Sequence, residues 1–420
     1  MSHPATSTSS LQLGAVGIMD ANSNSGNQLV DLANELVLTV LEENDLTCSD
    51  LAAFAATSRR FYKIATPVLY RKHITEENEI AILWAVREQR ITTLTRLVEN
   101  GANINSYLAS SSVSRCMDWY HWVAELIIST VPGAGNLPRL SERLEYAAAM
   151  ADEWFFAPLA LAAREGLTEV AGWLLDHGAH VDAVSVGLCD DKNDKQYTCR
   201  GMWRIQRPNA FYVGSTSRWT ALHLAICHGS MDMVDLLVSR GANPLQVCGP
   251  SAGPCTALHS AAIHRRYAIS EHFLKSGLVN IDARGSGGIT VLHLAYCLQD
   301  SSLLQMAFRH RASLDKEYSY DGNNWTILAM AFAKNDMFFA LQLLKMGANP
   351  DFTLWSSTGS PCSASAILKS NRDRNEITPL FSILGPNGNN QSIQAVEDEI
   401  QRIRQRQSLS MLDHQAQQEE

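Results

Sequence analysis

The sequence carries little charge, and it has no excess of the positive sign. Charged residues make up 18% of the 420 residues, with 34 Lys and Arg against 43 Asp and Glu. The resulting net charge of −9 argues against a protein that grips nucleic-acid phosphates by itself. Hydrophobic residues make up 46%, which is typical of globular chains, and the length is enough for two or three domains.

Long apolar runs and several common enzyme motifs are also absent. No run approaches ~18 uncharged apolar residues, so we expect no membrane span. The opening residues, MSHPATSTSS, have neither the basic segment nor the apolar core of a signal peptide. The sequence contains no G-x-x-x-x-G-K-[ST], no H-E-x-x-H and no G-x-G-x-x-G. We therefore expect a non-catalytic protein without a cofactor, located inside the cell in the cytoplasm, the nucleus or both.

Nine cysteines are scattered along the chain without any C-x-x-C pair. Cys189 and Cys199 flank a polar stretch, and Cys248 and Cys255 lie seven residues apart. Neither spacing is typical of a zinc site, so no bound metal is expected. Reduced thiols in the cytosol or nucleus are the natural interpretation.

The rest of the chain is organised around Trp219–Pro244, which reads WTALHLAICHGSMDMVDLLVSRGANP. Thr220 is predicted to cap a short helix by accepting a hydrogen bond from an amide in its first turn. That helix ends at Gly229, and a second helix ends before Gly241, where a left-handed conformation is easiest for glycine. A helix–turn–helix of this size has too little core to stand alone, so copies of it should stack.

The same pattern recurs along the chain. His223, His259 and His293 mark three copies, spaced by 36 and 34 residues, and Ala329 takes the histidine's place 36 residues further on. This period, with Thr-x-Leu-His at the first helix, resembles the ankyrin repeat. The resemblance covers about six copies over residues 79–355. It implies an all-α solenoid with short β-turn fingers.

Certain repeat positions are expected to be structural. The three histidines would lie about one repeat apart without converging on a point, so neither catalysis nor metal binding is expected of them. In ankyrin repeats this histidine ties the first helix to its turn. The positions expected to hold the repeats together are Thr220, Leu222, His223, Gly241, Leu258, His259, Leu292, His293 and Gly347.

Two insertions interrupt the repeats, at residues 106–150 and 184–218. We interpret the first as an overgrown, buried repeat, with a separate role left open. The second occupies the place of a finger, and it is rich in cationic and aromatic residues, the types enriched at interface hot spots. Two interpretations stay open, a partner-binding finger or a surface loop folded back on the repeats. The finger interpretation assigns partner contact to Tyr197, Arg200, Trp203, Arg204 and Arg207.

The N-terminal part begins with residues 1–26, which are rich in Ser, Thr and Asn and expected to be disordered. Three short helical patterns follow in residues 27–73, and the third is predicted to stop at Pro67. Their key residues form four groups, Leu32-x-x-Glu35-Leu36, Asp45-Leu46, Ser58-Arg59-Arg60-Phe61-Tyr62 and Pro67-Val68-Leu69-Tyr70-Arg71.

This series resembles an F-box, and its ending resembles the F-boxes that precede ankyrin repeats in fungal proteins. It departs from the family at Ala33, where proline is usual. The resemblance implies that a Skp-type adaptor is contacted through Leu32, Glu35, Leu36, Leu46 and Leu51. The leucines could equally be internal core, and the whole segment could be a helical cap on the first repeat.

Two functions follow from this organisation. The resemblance implies a substrate receptor of a Skp–cullin–F-box ubiquitin ligase, in which the ankyrin groove holds an unknown client protein. The alternative is an ankyrin scaffold or transcription co-regulator without ligase attachment, which would reach DNA only through partners. Residues 356–420 are expected to form a partial cap and a polar tail.

Overall fold

The structure, a computed structural model, describes residues 33–43, 46–109, 155–186, 218–248, 255–320, 323–355, 361–373 and 390–418. The chain divides into two units, Met1–Glu76 and Glu77–Glu420. Several sequence predictions fall outside the described residues, namely those on residues 1–26, Leu32, Tyr197, Arg200, Trp203, Arg204 and Arg207.

The first unit is built from α1 (Asn34–Glu43), α2 (Cys48–Ala56) and the first part of α3 (Arg59–Arg87). A capping box starts α2, in which the Asp50 amide donates to Thr47 Oγ1 over 3.2 Å and the Thr47 amide donates to Asp50 Oδ2 over 2.9 Å. The apolar faces of the three helices meet in one small core, formed by Val37, Leu41, Leu51, Ala55, Phe61, Ala65 and Val68.

The predicted stop of the third helix at Pro67 is wrong, since α3 runs through this proline to Arg87. Proline has no backbone N–H, so the helix loses one hydrogen bond at that turn. Packing offsets the loss, because Ala65 and Val68 on either side are buried in the core of the unit. The last turns of α3 supply the first helix of the first repeat, with Ile82, Leu83 and Val86 buried.

Within the described residues of the second unit, six successive helix pairs form an all-α repeat solenoid. We call the first helix of each pair the inner helix and the second the outer helix, and we number the pairs as repeats 1 to 6. A leucine near the start of an inner helix is fully buried in repeats 3 to 5, at Leu222, Leu258 and Leu292. No helix among the described residues is both long and apolar enough to cross a membrane. After the end of α3, the helices are α4 (Ile91–Glu99), α5 (Pro158–Glu165), α6 (Thr168–Asp176), α7 (Ala221–His228), α8 (Met231–Ser239), α9 (Ala257–Ile263), α10 (Tyr267–Lys275), α11 (Val291–Cys297), α12 (Ser301–Arg309), α13 (Ile327–Ala333) and α14 (Met337–Lys345).

Short antiparallel strands connect several of the successive pairs, and one hairpin follows the last pair. Four of them form one sheet in the order β1-β2-β3-β4, and the others form two hairpins, β5-β6 and β7-β8. Their bounds are β1 (Leu108–Ala109), β2 (Phe155–Phe156), β3 (Ser185–Val186), β4 (Arg218–Trp219), β5 (Tyr318–Tyr320), β6 (Asn323–Trp325), β7 (Thr353–Trp355) and β8 (Pro361–Ser363).

Two further helices follow the last repeat, α15 (Ala364–Asp373) and α16 (Asn390–Gln418). Helix α16 packs against α14. It buries Ile393, Val396 and Ile400, which recur at helical spacing on one face. The predicted polar tail includes the rest of this helix, which continues to Gln418 and is mostly exposed over residues 401–409.

A left-handed residue follows the last turn of the outer helix in each repeat. Glycine fills this position in five repeats, including Gly241 at φ 89° and Gly347 at φ 97°. In the fifth repeat the residue is Arg311, at φ 56°. A side chain in this region of φ costs about 1–2 kcal/mol, so the fifth repeat carries backbone strain.

We therefore expect Arg311→Gly to raise the free energy of unfolding by about 0.5–1 kcal/mol, since it relieves strain but adds freedom to the unfolded chain. The reverse change in the next repeat, Gly347→Arg, should lower the free energy of unfolding by a similar amount. A β-carbon at residue 347 would have no atom within 4 Å apart from those of the adjoining residues in the chain. This control therefore tests backbone strain alone. Urea unfolding measures both variants, and equal stability of Arg311→Gly and the parent would contradict the assignment.

Candidate protein-interaction site

Three Thr–His pairs lie inside the solenoid, each at the start of an inner helix. Thr220 Oγ1 is 2.8 Å from His223 Nδ1, Thr256 Oγ1 is 2.7 Å from His259 Nδ1, and Thr290 Oγ1 is 2.9 Å from His293 Nδ1. All six side chains are buried. The histidines therefore have no access to solvent, which suits a structural role.

Two of these histidines also connect one repeat to the next. His223 Nε2 lies 3.2 Å from the carbonyl oxygen of Cys255, and His259 Nε2 lies 2.9 Å from that of Ile289. A carbonyl oxygen can only accept, so Nε2 must carry the proton in both rings. The neutral ring then accepts at Nδ1, and the threonine hydroxyl donates to it. Each side-chain pair thus links its own helix start to the turn before the next inner helix.

This arrangement corrects the predicted cap at Thr220. Thr220 does precede the first residue of α7, but its side chain makes no cap hydrogen bond to a helix amide. Its hydroxyl pairs with His223 instead. In the sixth repeat, where Ala329 replaces the histidine, Thr326 Oγ1 accepts from the Ala329 amide over 3.1 Å. The hydroxyl therefore caps the helix where no imidazole competes for it.

Burial is the largest cause that lowers the pKa of His223, His259 and His293 from 6.5 to about 4. The folded protein keeps the three rings neutral at neutral pH. In the unfolded chain they would take up protons near pH 6.5, so protonation favours unfolding over the interval between these values.

We expect the free energy of unfolding to fall by about 1 kcal/mol per histidine between about pH 7.5 and about pH 5.5. The unfolded chain binds more protons than the folded one in this window, so stability rises with pH and is lost as pH falls. Urea titrations at a series of pH values measure this dependence. His293→Ala, which copies the sixth repeat, should reduce the proton uptake on unfolding by about one; an unchanged dependence would contradict the neutral buried ring.

The four-stranded sheet holds the ends of both insertions. Ala109 pairs with Phe155 across residues 110–154, and Val186 pairs with Arg218 across residues 187–217. Phe155 also pairs with Val186, so the two hairpins are joined. Paired strands lie about 4.8 Å apart. Both insertions therefore leave the solenoid side by side, from the fingers of neighbouring repeats.

Side chains near the finger turns form a hydrogen-bond ladder along the solenoid. Asn105 Oδ1 accepts from the His180 amide over 2.8 Å, and Asp182 Oδ1 accepts from the Asn243 amide over 3.1 Å. The third repeat has Leu245 at the equivalent position, which offers no acceptor. Two bonds continue the ladder beyond it, from the Ser313 amide to Asp282 Oδ1 (2.9 Å) and from the Asn349 amide to Asp315 Oδ1 (2.8 Å).

Apolar side chains are exposed where the ladder is interrupted. Leu245 is 51% exposed and Val247, two residues on, is 47% exposed. Neither residue is predicted from the sequence to be functional. The sequence does contain one signal. Residue 245 is neither Asp nor Asn, whereas the equivalent residues of four other repeats are Asn105, Asp182, Asp282 and Asp315.

In the first unit, the residues predicted to contact an adaptor divide between core and surface. Leu51 is fully buried and Leu46 packs against the core, so both contribute to the unit's interior. Glu35 and Leu36 are exposed, and Leu36 shares a helix face with the exposed Val40, one turn further along α1. An exposed apolar pair on a helix that is anchored by a neighbouring buried face is suited to binding a partner.

The cysteines considered as metal ligands serve backbone pairing where the structure describes them. Cys248 and Cys255 form an antiparallel bridge, and both are buried. Burial raises the pKa of Cys248 to about 11, so its thiol stays protonated at neutral pH. Residues 249–253 between them read G-P-S-A-G, a match to G-x-S-x-G. That motif requires a strand-to-helix turn; these five residues lie outside the part of the chain that the structure describes, and the next helix begins at Ala257.

Comparisons with known proteins agree with the helix-pair geometry. A family model described as "Ankyrin repeats (3 copies)" matches residues 202–284, and one described as "Ankyrin repeat" matches residues 156–186. The helix pairs α5–α6, α7–α8 and α9–α10 lie within these residues and match ankyrin repeats. The chain is also 31% identical over 157 residues to the mouse (Mus musculus) protein named "B-cell lymphoma 3 protein homolog". This similarity covers 36% of the chain and 34% of the relative, so the chain spans about a third of that protein's length. Ankyrin repeats are interaction modules, so these findings support a protein-interaction scaffold.

Proposed function

We propose that this protein is the substrate receptor of a Skp–cullin–F-box ubiquitin ligase. In this proposal the first unit binds a Skp-type adaptor, which connects to the cullin, and the ankyrin repeats bind the client to be ubiquitinated. The observation that carries the adaptor half is the exposed Leu36–Val40 pair on α1. Client binding is supported by the solenoid itself. Its fingers present the carboxylates of the hydrogen-bond ladder and exposed apolar side chains.

The adaptor contact follows from the shape of α1. Val37 and Leu41 are buried on one face, while Leu36 is 54% exposed and Val40 is 45% exposed on another. Tyr62, at the start of α3, is 42% exposed and adds a third apolar surface within the same unit. Covering these side chains with an adaptor would remove apolar surface from water, at about 25 cal/mol per Å². Leu46 and Leu51 would support that surface from the core.

The paired change Leu36→Asp and Val40→Asp should abolish capture of a Skp-type adaptor by the full-length protein. Both side chains are exposed, so the melting temperature should change little, while an unpaired carboxylate would be buried on binding. Leu36→Met with Val40→Ile keeps the surface apolar and should keep the adaptor. A chain lacking residues 27–73 gives the background of the pull-down. If the parent and both variants all fail to capture the adaptor, the protein is an ankyrin scaffold without ligase attachment.

Client binding is proposed to involve the second insertion together with the repeats. The β3–β4 hairpin fixes the ends of residues 187–217 beside the fingers of the second and third repeats. The insertion carries cationic and aromatic residues, including Tyr197, Arg200, Trp203, Arg204 and Arg207. Such side chains supply much of the energy at protein interfaces.

Replacing Trp203, Arg204 and Arg207 together by alanine should greatly reduce the recovery of client proteins in quantitative affinity capture. The proposal expects an unchanged melting temperature, since it assigns these side chains to partner contact. A matched control replaces three consecutive exposed residues of α16, Gln405, Arg406 and Gln407, by alanine. If the insertion variant and the control recover the same proteins in the same amounts as the parent, the insertion is not the client site.

A further inference from the structure

We infer that the finger of the third repeat binds an extended basic segment of a partner protein with one apolar residue at its centre. The inference rests on the proposal that the repeats bind a protein, and it identifies the chemistry of the bound segment. It starts from Leu245, which stands where Asn105, Asp182, Asp282 and Asp315 each accept an amide hydrogen bond from the next repeat.

Leu245 does not serve the fold at this position. It has no acceptor atom, so it cannot make the ladder bond, and with 51% exposure it contributes little to the core. Val247 adds a second exposed apolar side chain two residues further on. The local turn is otherwise the standard one, since the Leu245 amide donates to Asn243 Oδ1 over 3.0 Å, as the Asp282 amide does to Asn280 Oδ1 over 2.8 Å. The leucine therefore replaces a polar side chain on an unchanged backbone.

Carboxylates border this apolar pair on both sides along the solenoid. Asp182 lies one repeat before it and Asp282 one repeat after it. Each uses Oδ1 for the ladder bond. A carboxylate accepts up to about four hydrogen bonds, so each retains capacity for a cation from a partner. The surface thus presents a carboxylate, an apolar pair and a second carboxylate in order. A partner segment with one apolar residue between two Lys or Arg residues complements it.

The spacing of the repeats sets the spacing of the bound residues. Packed helices lie about 8–10 Å apart, which approximates the step from one finger to the next. A polyproline II segment advances about 9 Å in three residues and returns to the same face. The complementary sequence is therefore Lys or Arg, two residues, a large aliphatic or aromatic residue, two residues, and Lys or Arg.

A labelled peptide of about 11 residues tests this directly. It carries leucine at the centre, lysine three residues to either side, and proline and alanine elsewhere, and its binding to the full-length protein is measured by fluorescence anisotropy. We expect saturable binding that weakens several-fold between about 50 mM and about 300 mM salt, because the flanking contacts are ionic. A matched peptide with glutamate in place of both lysines should bind at least about tenfold more weakly.

Leu245→Asp separates binding from folding. The new carboxylate supplies the missing ladder acceptor, so the melting temperature should stay the same or rise, while peptide affinity should fall at least about tenfold. Asp182→Asn and Asp282→Asn remove the flanking charges, and Asn105 shows that an amide oxygen can make the ladder bond. Each of these should weaken binding about threefold and reduce the salt dependence. If Leu245→Asp unfolds the repeats, the two asparagine variants decide the result.

Unchanged affinity in these variants, or no binding of the lysine peptide to the parent protein, would overturn the inference. Capture of a client by the parent protein in that case would leave the proposed function standing. If the lysine and glutamate peptides bind equally well, the surface is apolar only and the predicted basic partner is wrong.

Discussion

The solenoid depends on contact between neighbouring repeats. A single helix pair buries its leucines on one side only, so its stability comes from the next pair. In the middle repeats hydrogen bonds add to this packing, because the imidazoles of His223 and His259 donate to backbone carbonyl oxygens just before the next inner helix. Packing alone would tolerate small shifts of one pair against another. The buried imidazole fixes both the distance and the register of neighbouring repeats.

The repeat architecture could be predicted from the sequence because its signal is local and repeated. Leu222, Leu258 and Leu292 recur with histidine neighbours at nearly constant spacing, and this spacing indicates both helix pairs and stacking. The partner of the Thr220 hydroxyl could not be predicted in the same way. An amide and an imidazole compete for the same oxygen, and the outcome depends on the rotamer of His223 within the packed repeat.

Predictions for the first unit and the candidate sites depended on less information. Pro67 is a strong local signal for a helix end, yet the helix persists because tertiary packing on either side outweighs one lost hydrogen bond. A pattern of leucines does not tell core from surface, and only the packing of the three helices of the first unit separates Leu51 from Leu36. Leu245 became informative only when the ladder bonds of the other repeats showed which role it leaves unfilled.

The sheet formed by β1 to β4 has a consequence for how this protein can change. Because each hairpin pins the two ends of an insertion about 4.8 Å apart, the repeats on either side keep their register whatever lies between. The entropic cost of closing a loop grows only with the logarithm of its length, so each doubling costs about 0.6 kcal/mol. The pinned ends of residues 110–154 and 187–217 therefore let either insertion change in length or sequence without shifting the register of the repeats that flank it.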